Sequence, residues 1–188
     1  MKQHIDITSV LPGALCRLYS NLLTRPTGAA VRSAIEALLA ERHPASVTTI
    51  DFSGVNLLDF SCADEIVAKL LLQHTEAPAG PERFVTFRGM RDDHLDAVEA
   101  VLERRALALV WEDGGRPSLL GPVSEDEARH WEVVLLLGPV WAEPVAASLG
   151  GTTGESAAVL DALWRRRLVM RTESGFMVPR GATGVSAA

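Results

Sequence analysis

A chain of 188 residues with 47% hydrophobic and 22% charged content has the make-up of a soluble globular protein, either one ordinary domain or two small ones. No stretch nears the roughly 18 apolar residues of a membrane span, and the opening MKQHIDITSV lacks an apolar signal-peptide core, so a cytoplasmic protein with no membrane partner is expected. A formal charge of −6 argues against a general nucleic-acid binder, whose phosphate affinity comes from clustered Lys and Arg.

HIDIT (4–8) alternates with the period of a strand, and ALCRLY (14–19) can serve as a second short one. RPTGAAVRSAIEALLAE (25–41) spaces Ala30, Val31, Ile35, Leu38 and Leu39 as one buried helical face. SVTTIDF (46–52) predicts a strand and CADEIVAKLLLQH (62–74) a helix. RFVTFRG (83–89) predicts another strand, and DDHLDAVEAVLERR (92–105) a helix with acids in its first turn and arginines in its last. ALALVWED and RPSLLG close this part as strands around Gly114-Gly115. The alternation indicates an α/β layer over residues 1–120.

The remainder has another rhythm. SEDEARHWEVVLLLG (124–138) starts on Ser124 and Glu127 in capping-box spacing and stops at Gly138. A short helix begins near Trp141 and ends at Gly150; a third opens on the capping pair Thr152 and Glu155. LVMRTESGFMVPR then predicts two short strands around Ser174-Gly175. Three helices and a β-hairpin make a small winged-helix unit over 121–180, with 181–188 as a disordered tail.

Between the strand at 46–52 and the helix at 62–74 lies the segment DFSGVNLLDFSCADE (51–65). Ile50, Phe52, Val55, Leu57 and Leu58 can fill the core, as can Cys62, Ala63, Ile66, Val67, Leu70 and Leu71 along the helix. Ser61, Asp64, Glu65 and Lys69 then share the exposed helical face. Ser61, three residues before Asp64, suits a helix N-cap.

TTIDFSGVNLLDFSCADEIVAKLL resembles the core segment of STAS domains, the family of anti-sigma factor antagonists and sulfate-transporter tails. That resemblance implies a STAS-like sheet with packed helices and a protein that binds a kinase-type anti-sigma factor. On the family's Asp-Ser-Ser-Gly pattern Asp59 takes the Asp, Phe60 the first Ser, Ser61 the phosphorylated Ser and Cys62 the Gly. Ser61 is thereby a phosphorylation candidate, and Asp59, Phe60, Ser61, Asp64, Glu65 and Lys69 a partner-binding surface. Capping, docking and phosphorylation all remain open for Ser61.

The alternative is a transcription regulator whose winged helix reads DNA through Arg165, Arg166, Arg167 and Arg171 while the first unit senses a partner or ligand. Against it, residues 124–180 hold six arginines, no lysine and eight acids, a net −2. Asp92, Asp93, His94 and Asp96 fit a first helical turn better than a metal site, and Cys16 and Cys62 have no ligand or redox spacing. The four tryptophans are expected in the cores. No nucleophile, base and oxyanion hole assemble, so no enzyme, cofactor or metal is expected.

Overall fold

The computed structural model describes residues 2–7, 21–41, 47–75 and 82–181. In chain order its elements are β1 (Lys2–Asp6), β2 (Asn21–Leu22), α1 (Arg25–Ala40), β3 (Val47–Asp51), β4 (Leu57–Leu58) and α2 (Phe60–Ala63). The last runs through a π-helical turn (Asp64–Ala68) into α3 (Lys69–Thr75). Next come β5 (Phe84–Arg88), α4 (Asp92–Arg105), β6 (Leu109–Asp113) and β7 (Arg116–Leu120). The chain then forms α5 (Glu125–Leu137), α6 (Ala142–Leu149), α7 (Thr153–Arg165), β8 (Met170–Thr172) and β9 (Gly175–Met177). The strand expected at 14–19 lies outside the described residues.

The protein is mixed α/β. Strands β1, β3, β5 and β6 run parallel, and β7 closes the edge antiparallel to β6, in the order β1-β3-β5-β6-β7. β2 and β4 pair apart from this sheet as a short parallel ladder. One sheet face presents Ile5, Ile50, Phe52, Val85, Phe87 and Leu109 to α1, α2–α3 and α4. Each such buried side chain contributes about 1.5–3 kcal/mol. α1 starts on Thr24, with Pro26 in its first turn. It can approach α2 closely because residue 28 is Gly: a Cβ there would stand 3.0 Å from Cys62 Cα and from Glu65 Cβ.

The other sheet face is covered in part by the C-terminal segment. Ala108 and Val110 join an apolar cluster with Trp131, Val134, Val145, Leu160, Leu163 and Phe176. Both expected capping boxes are present: Ser124 Oγ accepts from Glu127 N–H at 3.1 Å, and Thr152 Oγ1 from Glu155 N–H at 3.3 Å. Trp131 Nε1 donates to Leu168 O at 3.0 Å. His130 Nδ1 donates to Asp126 O at 2.7 Å, which leaves Nε2 to accept from Ser156 Oγ at 3.1 Å and ties α5 to α7.

Three expectations change here. Trp141 is exposed at the N-cap of α6 and packs no core; Trp111 and Trp164 are half-buried. The hairpin turns at Glu173-Ser174, and Gly175 already belongs to β9. Gly181, expected at the start of a disordered tail, is buried, and its N–H donates to Glu112 Oε1 at 2.8 Å. Thr49 Oγ1 lies so close that no side chain fits there. Residues 182–188 lie outside the described residues.

Beside this seal the sheet face is polar. Asp51 accepts from Arg88 Nε at 2.8 Å and from Ser53 N–H at 2.8 Å, with His4 Nε2 2.8 Å away. Burial alone would raise the Asp51 pKa, but the bonds from Ser53, His4 and Arg88 hold it at about 2.

Candidate functional site

The strand-to-helix crossing is assembled by backbone bonds from three directions. Phe52 N–H reaches Arg88 O at 2.9 Å, and Val55 N–H returns to Phe52 O at 2.8 Å across Ser53-Gly54. The chain then pairs with β2, and Asp59 N–H donates to Leu22 O at 2.9 Å. That contact fixes Asp59, whose Oδ1 accepts from Cys62 N–H at 2.8 Å and caps the helix. The cap expected at Ser61 is therefore moved to Asp59, and Ser61 becomes the second helical residue. Its half-buried Oγ donates to Asp59 Oδ1 at 2.9 Å and Oδ2 at 3.1 Å.

The exposed face expected to carry Asp64 and Glu65 is also corrected, because both side chains are buried. Here the helix widens, with Lys69 N–H bonding Asp64 O five residues back, and it is packed by α1 on one side and α4 on the other. All five residues from Asp64 to Ala68 are inside, which a helix covered on a single side would not allow. Arg25 Nη1 meets Asp64 at 3.2 Å and Glu65 at 2.9 Å. Arg105 grips Asp64 Oδ1 through Nε and Nη2 at 3.0 and 2.8 Å. Arg32 stands 3.7 Å from Glu65, and Lys69 pairs with it one turn on. Burial pushes both carboxyls up, yet the bonded arginines and Lys69 hold each below its usual range. These buried acids link α1, the widened turn and α4.

Cys62 is buried, and its thiol donates to Thr24 O at 3.0 Å. Burial and the Asp59 carboxylate push its pKa up to about 11, so it is not a nucleophile at neutral pH.

Beside the polar Ser53 and Asn56, the crossing leaves large apolar side chains exposed. Leu57 was expected in the core, but it is 44% exposed beside Asn21 on the outer side of the β2–β4 ladder. Leu23 is 49% exposed one step past that ladder, and Phe60 is 37% exposed under the Arg104 guanidinium, 5.9 Å from its ring centre. Asp59 and Ser61, on either side of Phe60 in the chain, are half-buried. Leu23 gave no signal in the sequence, since only the pairing of residues 21–22 with 57–58 brings it here.

The C-terminal arginines are largely engaged. Arg166 bonds Glu127 at 2.7 and 2.8 Å and Pro122 O at 2.6 Å. Arg167, with a left-handed φ of 61°, lies 5.7 Å from the Phe84 and Trp164 ring centres and donates to His74 O. Arg171 stacks over Trp164 at 4.1 Å and pairs with Asp161. Arg165 is exposed, whereas Ser156 near the start of α7 is buried.

Among the described residues no three His, Cys, Asp or Glu side chains converge as metal ligands would, and no helix is long and apolar enough to cross a membrane. No protein-family model and no curated protein matches the chain.

Proposed function

We propose that the chain is a non-enzymatic regulatory protein that acts by binding another protein, in the manner of an anti-sigma factor antagonist. In this reading residues 1–120 form a STAS-like unit and residues 121–180 a winged-helix-like unit seated on its sheet. The observation that carries it is that the segments joined at this crossing leave Leu23, Leu57 and Phe60 exposed, with Phe60 next in the chain to the half-buried Ser61. Large exposed apolar side chains gathered at one place mark an interaction site. The STAS-like assignment is supported by the helix that follows β3 and the short β4, and by the parallel order of β1, β3, β5 and β6. The order of three helices and a hairpin supports the second assignment.

The partner class is a kinase-type anti-sigma factor, and Ser61 is the candidate switch. A phosphoryl group there would bring roughly −1.5 to −2 charge beside the exposed Phe60. It would also displace the hydroxyl from Asp59 and face that carboxylate, so an apolar or acidic partner would be expelled. The DNA-reading alternative has less support, since Arg166, Arg167 and Arg171 already have partners within the chain.

The test is an affinity titration against the purified kinase-type anti-sigma factors of the same cell. Phe60→Ala and Ser61→Asp are each expected to weaken binding at least about tenfold, and Ser61→Ala to leave it unchanged. A wild-type protein that binds none of them, or four forms that bind alike, overturns the reading.

A further inference from the structure

Where the C-terminal segment meets the end of α3, His74, Arg83, Arg166 and Arg167 line one narrow cleft. Its other walls are almost wholly apolar, Val85 and Leu168 among them. It holds about 10 Å³, room for one water-sized body. Three arginines line it and no carboxylate does. Arg166 is already satisfied by Glu127 and by Pro122 O. Arg83 and Arg167 form no ion pair among the described residues; Arg167 only donates to His74 O and stands 5.7 Å from the Phe84 ring centre.

Two buried nitrogens of these residues, His74 Nε2 and Arg83 Nε, have no hydrogen-bond partner among the described residues. Folded proteins rarely leave such groups unmet. Arginine Nε is a donor only, and a neutral imidazole donates from Nε2 in one of its two tautomers. The Arg83 and Arg167 charges both act on the His74 ring; Glu36 acts the other way but is paired with Arg32. Arg167 also occupies an unusual backbone place. It follows the end of α7 with a left-handed φ of 61°, and Leu168 N–H reaches back to Leu163 O. Glycine is the usual residue there, since it has no Cβ to crowd the turn. Here a cation is kept at the seam against that local preference.

We infer that this cleft binds a small inorganic anion, either chloride or one oxygen of a phosphate at its mouth. A water would meet the two nitrogens but leave two positive charges uncompensated beside apolar walls. An anion meets both needs, and surroundings of low polarity strengthen its attraction to the donors. The size of the cleft keeps anything larger than one such atom outside. His74 and Arg83 supply one side and Arg167, just after α7, the other, so the anion clamps the C-terminal segment to the α/β layer. His74 lies at the far end of the helical run that begins at Phe60, so this inference and the docking reading can fail separately.

Thermal unfolding of the full chain in sodium gluconate, chloride and phosphate at equal ionic strength tests it. Chloride or phosphate, exchanged for gluconate, should raise Tm along a saturating curve, as a ligand of the folded state does. Saturation by chloride identifies a halide site, and saturation by phosphate alone an oxyanion site. Arg83→Gln should raise the half-saturating concentration at least about tenfold, as expected when a charged donor is lost. Arg83 makes no other bond among the described residues, so the far-UV circular dichroism of that variant should stay native. Arg165→Gln removes an exposed charge two residues from Arg167 and should leave the curve unchanged. An equal response to all three salts, or a rise that never saturates, is general screening and overturns the inference. So does an Arg83→Gln protein that responds as the wild type does, or an Arg165→Gln protein impaired as much as Arg83→Gln.

Discussion

Around Asp64 and Glu65 the protein keeps carboxylates inside, met by Arg25 and Arg105 from 39 to 41 residues away in the chain. In α7 the acid Glu155 stays at the helix start and bonds a backbone group three residues back. The first arrangement exists only once α1, α4 and the widened turn have packed together. The second forms wherever its own few residues become helical. Charge in the one region therefore reports on assembly of the fold, and in the other on local helix formation.

The sharpest way to break this contrast is Asp64→Ala. Removing Asp64 strips Arg105 of its carboxylate, while Arg25 keeps Glu65. Hydrogen bonds to charged groups are worth about 1.5–3 kcal/mol, and both guanidinium groups reach water, so a loss of about 2 kcal/mol is expected in urea unfolding. A loss below about 1 kcal/mol would make the cluster no more than a surface pair.

His74 offers a comparable test at the seam between the two regions. Its backbone oxygen accepts from Arg167, and its ring is pressed down to a pKa of about 4 by burial and by the Arg83 and Arg167 charges. The unfolded chain takes up this proton near pH 6.5. Between pH 6.5 and 4 the unfolded state binds more protons, so stability is full above that window and falls as the pH drops through it. Allowing for the water that reaches its edge, the loss is about 2 kcal/mol. Asp51, Asp64 and Glu65, held below their ordinary values, lose their contribution only at lower pH, which separates the two effects. His74→Gln should flatten the stability profile between pH 6.5 and 4.5 and leave the steeper acid limb. An unchanged slope would show that the seam does not sense this proton.

The same contrast explains what the sequence made legible. The helix starts at Ser124 and Thr152 could be read because both members of each cap lie within four residues. The helix face at Val31, Ile35 and Leu39 could be read from its period, and the strand at 47–51 from its β-rich composition. The cap at the candidate site could not. Asp59 and Ser61 are equally good capping types, and the choice is made by Leu22, whose carbonyl fixes Asp59 from 37 residues away. Nor could burial of Asp64 and Glu65 be read, since arginines at 25 and 105 bring it about. Leu57 was misassigned for a related reason: its strand pairs with β2 outside the main sheet and so turns that side chain to solvent.

Thr152→Ala completes the comparison with its smallest effect. The substitution removes the hydroxyl that accepts from Glu155 N–H and should cost about 1 kcal/mol, the usual value of such a cap. Glycine at 152 should recover most of that loss, because it tolerates the cap conformation and lets water reach the amide. The decisive form is a double variant with Asp64→Ala. The two sites share no side-chain partner, so their effects should add to within about 0.5 kcal/mol in urea unfolding. A larger coupling would mean that loosening α7 reaches the Arg25–Asp64–Arg105 cluster through the sheet. The local and assembled charges would then belong to one cooperative unit, and the distinction between the two regions would fail.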